Sequence, residues 1–287
     1  MSWQLSLTGL LVGLLVGMTG MGGGSLMTPL LVLVFGFKPT VAIGTDILHG
    51  AIFKSFGAWR HRTLGTVHAR LTLWMLLGSA PASILGVLLA TSLEHRYGED
   101  FEETAAHILG AALILGGIGF LVKTFVTGRA KSDAPFILQR RDRVIALLTG
   151  IGGGFIVGLT SVGSGTFFGL VMLLVFPLTA AKVVGTDIFH AAALLWVAGA
   201  SHLVAGNVDL GAMGWLLLGS IPGVLLGSQV TVRLPDRLLR VALATVLTFS
   251  GVKLLDAPTA VLPVVLAAGV AVLVLVAVRP DPQPDTP

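Results

Sequence analysis

The chain has 287 residues, of which 54% are hydrophobic and only 11% charged. Because soluble domains carry about 25% charged residues, this composition excludes a water-soluble fold. The net charge is +4 at pH 7, but the basic residues do not sit on a soluble domain. We therefore interpret them as markers of membrane topology rather than of nucleic-acid binding. The chain has no cysteine, which excludes disulfides, thiol catalysis and cysteine-ligated metals.

Apolar runs recur along the whole chain, many of them near the length of roughly 20 residues that crosses a bilayer as a helix. A helix is expected because a backbone in lipid must pair its polar groups within the segment. The first run lacks a charged flank and a cleavage signal, so we expect it to belong to the mature protein. The predicted helical segments are 5–20, 24–36, 40–59, 69–91, 104–126, 142–160, 163–176, 179–204, 209–231, 236–255 and 258–278.

Two polar stretches divide these segments. Residues 92–103 are acidic, whereas residues 127–143 are basic and contain Pro135 as a helix breaker. The basic stretch is the natural boundary between two parts of the chain, and the Pro/Asp-rich tail is predicted to be disordered. The predicted organisation is a first membrane repeat at 1–126, a cytoplasmic linker at 127–141, a second membrane repeat at 142–256, and an additional C-terminal helix with the tail at 257–287.

An internal repeat is the most specific feature of the sequence. The segment GTDILH at Gly44–His49 recurs as GTDIFH at Gly185–His190, an offset of 141 residues from position 44 to position 185. The same ungapped offset carries an LLGS segment with Pro81 onto an LLGS segment with Pro222. Biased composition can repeat Leu and Gly, but not Thr-Asp-x-x-His. The chain therefore contains two related halves, and such internal repeats are characteristic of secondary transporters.

The distribution of basic residues predicts that the two halves are inverted. Arg60 and Arg62 follow the 40–59 segment, which places that loop in the cytoplasm, whereas the equivalent loop around 201–209 has no Lys or Arg. Inversion requires that each short Gly-rich segment forms a hairpin with the segment before it. The predicted fold is thus an all-α polytopic membrane protein, in which each half is a Gly-rich helical hairpin plus about three spanning helices. The 258–278 segment has no equivalent in the first half and is an added helix.

Two Gly-rich turns form the predicted substrate site. Each precedes a short helix, and the backbone N–H groups at a helix N-terminus attract anions. Turns from inverted halves would meet near the membrane midplane, where transporter sites lie. The alternative is that these small residues serve tight helix packing. The predicted substrate-binding residues are Gly22, Gly23, Gly24, Ser25 and Thr45 in the first half, and Gly163, Ser164, Gly165, Thr166 and Thr186 in the second.

Ionisable residues inside the predicted spans form a second candidate group. Such residues are costly in a membrane and usually functional. Three roles stay open for the repeated Asp and His: proton coupling, cation coupling, or a structural Asp–His hydrogen bond that braces the Gly-rich turn. Lys54, which has Leu195 as its equivalent, is either an anion-attracting charge in the pathway or a side chain that snorkels to the cytoplasmic edge. The repeated pairs share one helix face at i and i+3 and are Asp46 with His49 and Asp187 with His190.

These motifs resemble those of the sulfite exporter TauE/SafE family of membrane anion permeases. The resemblance rests on the turn Gly-x-Gly-Gly-Gly-Ser at 20–25, on Pro29, on the Ala42-x-Gly44-Thr45 segment and on their second copy, and it spans about residues 7–255. It implies a secondary, gradient-driven transporter that exports a small sulfur oxyanion or organosulfonate, such as sulfite, across the cell inner membrane. The family often has a small polar residue where this chain has Asp46 and Asp187, and this departure favours proton coupling.

We therefore predict a transporter and not an enzyme, with no catalytic residue, no cofactor and no bound metal. No ATP-binding motif is present, which implies gradient coupling. The expected partners are a small anion and the lipid bilayer, but not nucleic acid, and a homodimer stays open. One alternative is a divalent-cation permease that uses the repeated Asp/His pairs as ligands. Another is an intramembrane metallohydrolase, although the chain has no His-Glu-x-x-His motif.

Overall fold

A computed structural model describes residues 2–19, 24–125, 136–163, 165, 167–230 and 236–278. Within these residues the chain forms eleven helices and no strand, so the predicted all-α class is confirmed. The linker residues 127–135 and the predicted disordered tail beyond residue 278 lie outside the described residues. The helices are α1 (Ser2–Thr19), α2 (Gly24–Leu33), α3 (Pro39–Thr63), α4 (Ala69–Tyr97), α5 (Glu99–Phe125), α6 (Arg140–Thr160), α7 (Phe167–Val175), α8 (Ala180–Val204), α9 (Leu210–Val230), α10 (Asp236–Leu254) and α11 (Val261–Val278).

The helix ends differ from the predicted segments where charged residues extend or start a helix. α5 begins at Glu99, because Glu99, Asp100 and Glu102 occupy its first turn, where acidic side chains are favourable. The acidic stretch is therefore helical except at Gly98, because α4 also continues to Tyr97. α6 begins at Arg140, two residues before the predicted second repeat. It starts there because the backbone N–H of Gln139 donates to Asp142 Oδ2 at 2.9 Å, as part of a capping box.

The helices present an apolar surface to their surroundings. Four of those described are long and apolar enough to cross a membrane: α4, α5 to Val122, α6 and α8 from Lys182. α3 is as long as α8, at 25 residues, but its buried polar residues lower its mean hydropathy. Large exposed side chains on the outer faces include Leu77, Leu88, Leu115, Leu148 and Leu218. An apolar exterior is the surface expected in lipid, and the protein is a multi-pass membrane protein.

The helices of one half complete the packing of the other. α1 packs on α9, and its equivalent in the second half, α6, packs on α4. α3 packs on its own equivalent α8, and α5 packs on its own equivalent α10. These contacts are close: a Cβ atom at Gly13 would overlap the backbone of Ser220, and one at the equivalent Gly154 would overlap the backbone of Ser79. The 141-residue offset is thus present in the packing as well as in the sequence.

The sequence of contacts along α3 and α8 gives the relative direction of the two helices. Residues that neighbour each other run in opposite sequence order, from Gly44 with His202, through Leu48 with Gly199, to Gly57 with Ile188. The two equivalent helices are therefore antiparallel. α5 and α10 also run antiparallel, since Gly110 contacts Gly251 while Gly117 contacts Ala244.

Two apolar cores flank α3. The first contains Met27 of α2 and Leu109 of α5, and the second contains Met172 of α7 and Met75 of α4. α3 contributes Phe53 to the first core and Ile47, Ala51 and Ile43 to the second. Because α3 shares both cores, the polar side chains along it are buried at the centre of the protein.

Candidate functional site

Asp46 is the centre of the candidate site. Its Oδ2 atom accepts hydrogen bonds from Thr28 Oγ1 of α2 and from Ser161 Oγ, the latter at 2.9 Å. All three residues are at most 1% exposed. Ser161 follows α6 in the second half, so three segments from both halves converge on one carboxylate. The other oxygen, Asp46 Oδ1, is buried and has no hydrogen-bond partner within the described chain, an arrangement that normally costs free energy.

The turn after α6 owes its shape to residues with positive φ. Ser161 has φ 60°, Gly163 has φ 116° and Gly165 has φ 111°. Glycine tolerates such values because it has no Cβ, as the Gly-rich motif predicts. The turn leads into α7, whose first residue, Phe167, donates its backbone N–H to Gly163 O at 3.2 Å. Ser161, at the left-handed start of this turn, donates its hydroxyl to Asp46 Oδ2 at 2.9 Å.

Several of the predicted substrate-binding residues cannot be placed. Gly24 and Ser25 form the start of α2. Gly22, Gly23, Ser164 and Thr166 lie outside the described residues, and so does the predicted meeting of the two turns. The described neighbours that reach Asp46 are Thr28, one turn beyond the first residue of α2, and Ser161, which caps the end of α6 six residues before α7.

The two histidines of the repeat bond to serines and not to the aspartates. His49 Nε2 lies 2.8 Å from Ser220 Oγ, and His190 Nε2 lies 2.9 Å from Ser79 Oγ. The 141-residue offset relates the two pairs, which join α3 to α9 and α8 to α4. Nδ1 of each ring is buried without a hydrogen-bond partner among the residues described. The Asp–His hydrogen bond considered for Asp46 and His49 is thus replaced by separate partners for each residue.

The hydroxyls of the two predicted threonines accept hydrogen bonds from the residues that precede neighbouring helices. Thr45 Oγ1 accepts from the backbone N–H of Asp209, just before α9, and Thr186 Oγ1 accepts from that of His68, just before α4, both at 2.9 Å. Both hydroxyls are buried. Each hydroxyl accepts one bond here and retains its own proton to donate. The accepted bonds position α9 and α4 around the site.

Lys54 is a buried charge within reach of both repeated carboxylates. Its side chain is 4% exposed, which is inconsistent with snorkelling to the cytoplasmic edge. Its ammonium group interacts electrostatically with Asp187 and, more weakly, with Asp46. The equivalent position in the second half is Leu195, so the repeat supplies two carboxylates but only one ammonium group.

The described residues contain no group of three or more His, Cys, Asp or Glu side chains that could hold a metal ion. Asp46 bonds to hydroxyls and His49 bonds to Ser220. Among the described residues, Asp46 and His49 thus have separate partners and do not form one ligand cluster.

Sequence reasoning missed four residues of this site: Thr28, Ser79, Ser161 and Ser220. Ser79 and Ser220 lie in the repeated LLGS segments, so the repeat itself could have identified them. Thr28 and Ser161 have no such signal, because their equivalents at the same offset are Gly169 and Gly20.

An all-helical membrane protein of two interlocked related halves, with a buried polar centre between them, has the organisation expected of a multi-pass membrane transporter. The chain belongs to the sulfite exporter TauE/SafE family, whose sequence profile matches residues 5–254. The resemblance identified from the motifs is confirmed.

Relatives with assigned names agree with this class. The chain is 39% identical over 258 residues to the probable membrane transporter protein YjnA of Bacillus subtilis strain 168, covering 89% of this chain and 100% of the relative. It is 24% identical over 245 residues to the probable membrane transporter protein YdhB of the same organism, covering 85% of this chain and 96% of the relative. No solved structure matches the chain.

Proposed function

We propose that the protein is a secondary transporter that exports a small sulfur oxyanion or organosulfonate, such as sulfite, across the cell inner membrane. The observation that carries the proposal is the meeting of both halves at one buried carboxylate, where Thr28 of α2 and Ser161, which precedes the turn with Gly163 and Gly165, bond to Asp46. α2 and α7 begin within a few residues of these contacts in the sequence, and the N-terminus of a helix provides N–H groups and a positive dipole end for an anion. The protein acts in this proposal by moving a solute and not as an enzyme.

The two Gly-rich turns are the proposed contacts for the anion, with the hydroxyls of Ser25, Ser164 and Thr166 as further donors. Lys54 contributes a positive charge nearby. Glycine at 163 and 165 lets the backbone approach a ligand without a side chain in between. The energy source is a gradient. Because the cell interior is electrically negative, the membrane potential alone favours the outward movement of an anion.

The halves are inverted in this proposal. The antiparallel packing of α3 on α8 supports inversion, because two equivalent helices that span a membrane in opposite directions are related by an axis in the membrane plane. The charges agree. Arg143 lies over the Trp74 ring on the side where α3 ends with Arg60 and Arg62, whereas Thr40 at the start of α3 donates to acidic Glu102. The basic side is then cytoplasmic.

Reconstitution into proteoliposomes tests the transport proposal. We expect flux of sulfite or of a sulfonate, reduced sharply by Gly165→Ala, because alanine at φ 111° is strained. Gly152→Ala is the matched control, since a Cβ there meets no atom within 4 Å, and it should leave flux unchanged. Absence of flux with every sulfonate and oxyanion tried would refute the proposal.

The proposed assembly is a monomer or a homodimer. The mass of the purified protein in detergent distinguishes the two.

A further inference from the structure

The buried charges at the centre of the protein do not balance. Asp46, Asp187 and Lys54 are 1%, 6% and 4% exposed, and Lys54 interacts with both carboxylates, more strongly with Asp187. Two ionised carboxylates and one ammonium group leave one excess negative charge. The other ionisable side chains of this repeat, His49 and His190, bond to serine hydroxyls through Nε2. Because an uncompensated charge inside a membrane protein is costly, a proton or a cation at one of the carboxylates is needed for neutrality.

Hydroxyl groups distinguish Asp46 from Asp187 as the place for that charge. Thr28 and Ser161 both bond to Asp46 Oδ2, while glycine stands at both equivalent positions, 169 and 20. Asp46 Oδ1 is buried and has no partner in the described part of the chain. Thr28 of the first half and Ser161 of the second thus surround the Asp46 carboxylate with oxygen atoms, and Asp46 Oδ1 keeps unused lone pairs.

The surroundings of Asp46 suit a cation and not only a proton. A hard cation prefers carboxylate, hydroxyl and carbonyl oxygens, and the same Thr and Ser oxygens that donate to Asp46 also carry lone pairs. Ser161 directly follows the last residue of α6, Thr160, where the helix dipole is negative. In other secondary transporters, interrupted helices with such C-terminal ends coordinate Na⁺ or H⁺.

We propose that Asp46, Thr28 and Ser161 form a binding site for one Na⁺ ion, which supplies the missing positive charge. Asp46 Oδ1 and Oδ2 and the two hydroxyl oxygens are the ligands, and the C-terminal carbonyl end of α6 complements them. Lys54 remains with Asp187. The ion need not cross the membrane, because its role is to neutralise the carboxylate so that an anion can bind beside it.

This site deepens the proposed function and rests on it only for its role beside the anion. With Na⁺ bound, the group formed by Asp46, Asp187, Lys54 and the ion is neutral, whereas without Na⁺ it carries a net negative charge that repels an anion. Binding of Na⁺ and of the anion should therefore favour each other, and the coupling must be reciprocal.

Binding of Na⁺ to the purified full-length protein can be measured without any anion substrate. We expect saturable ²²Na⁺ binding of one ion per chain, and a melting temperature that rises with NaCl but less with KCl or choline chloride at equal ionic strength. Asp46→Asn should abolish both effects, and Thr28→Val and Ser161→Ala should weaken the affinity at least about tenfold, the effect of losing about 1.4 kcal/mol. Thr72→Val, which removes a buried hydroxyl elsewhere, should bind Na⁺ normally and serves as the matched control.

Three outcomes would overturn the site: no Na⁺-specific stabilisation, full Na⁺ binding by Asp46→Asn, or stabilisation that follows pH but not Na⁺ and assigns the charge to a proton. The hydroxyl variants keep the test valid if Asp46→Asn fails to fold. Na⁺ binding without oxyanion flux would refute the proposed function but not the site. Equal flux in Na⁺ and in choline would refute the role of the ion beside the anion.

Discussion

His49 of the first half and Ser220 of the second are joined by a 2.8 Å contact between Nε2 and Oγ, and the 141-residue offset turns this pair into Ser79 and His190 at 2.9 Å. Each pair crosses from one half to the other. The two contacts are thus equivalent hydrogen bonds between the halves. One joins α3 to α9 and the other joins α8 to α4.

Removing either serine hydroxyl should destabilise the protein to a similar extent. Ser79→Ala or Ser220→Ala leaves a buried imidazole nitrogen without its partner, which costs about 1–3 kcal/mol. We expect nearly equal decreases in the melting temperature in detergent for the two variants. Ser83→Ala is the control, because the buried Ser83 hydroxyl donates within its own helix, to Ala80 O at 2.8 Å. Unequal effects of the two substitutions would contradict the equivalence of the pairs.

Replacing Lys54 should destabilise the protein strongly. Removing a carboxylate as well should restore part of the lost stability. Lys54→Leu introduces the residue found at the equivalent position 195, but leaves two buried carboxylates without the ammonium group, at a cost of about 3–5 kcal/mol. Adding Asp187→Asn should restore more stability than adding Asp46→Asn, since Lys54 interacts more strongly with Asp187. A double-mutant cycle on thermal unfolding measures both couplings. Additive effects of Lys54→Leu and Asp187→Asn would contradict the interaction.

The close approach of α1 to α9 and of α6 to α4 should be sensitive to a single methyl group. Alanine at Gly13 or Gly154 would place Cβ against the backbone of Ser220 or Ser79, and such overpacking costs about 1–3 kcal/mol. Both variants should melt at lower temperature. Gly119→Ala, where a Cβ meets no atom within 4 Å, is the matched control and should not be destabilised. Equal stability of Gly13→Ala and this control would show that the helices pack less closely.

The proposed inversion of the halves predicts that two equivalent helix ends lie on opposite sides of the membrane. Thr63 ends α3 and Val204, at the same offset, ends α8; both are exposed, Val204 at 90%. Because the natural chain has no cysteine, Thr63→Cys and Val204→Cys each carry one thiol. An impermeant maleimide should label Val204→Cys in intact cells or spheroplasts, and Thr63→Cys only after the membrane is opened. Labelling of both from one side would indicate parallel halves.

Most of the architecture was predictable because it depends on local properties of the chain. Apolar length predicts the helices, and the two 25-residue helices α3 and α8 coincide under the offset first read from Gly44–His49 and Gly185–His190. The short α2 and α7 also follow from the Gly-rich turns before them. Charged residues at helix ends, such as Glu99 and Arg62, were the exceptions: they extend helices into stretches that composition marks as polar.

The polar partners of the site were less predictable because they depend on contacts between distant segments. The repeat identifies Asp46 and His49 as special, but their partners Ser161 and Ser220 lie in the other half of the sequence. A periodic pattern reports which residues share a helix face and not which faces meet. The repeat does not identify Thr28 and Ser161 as site residues, since glycine occupies the equivalent positions.

The sequence by itself determined that this is a helical membrane protein of two related halves from the TauE/SafE family, because hydropathy, helix length and an ungapped repeat are properties of the linear chain. Only the tertiary structure decided that the halves interlock helix by helix, that histidine pairs with serine across them, and that Asp46 but not Asp187 accepts from Thr28 and Ser161. Those choices depend on how helices approach one another in space. Two hydroxyl groups on neighbouring segments are enough to give two nearly identical sequence motifs different surroundings.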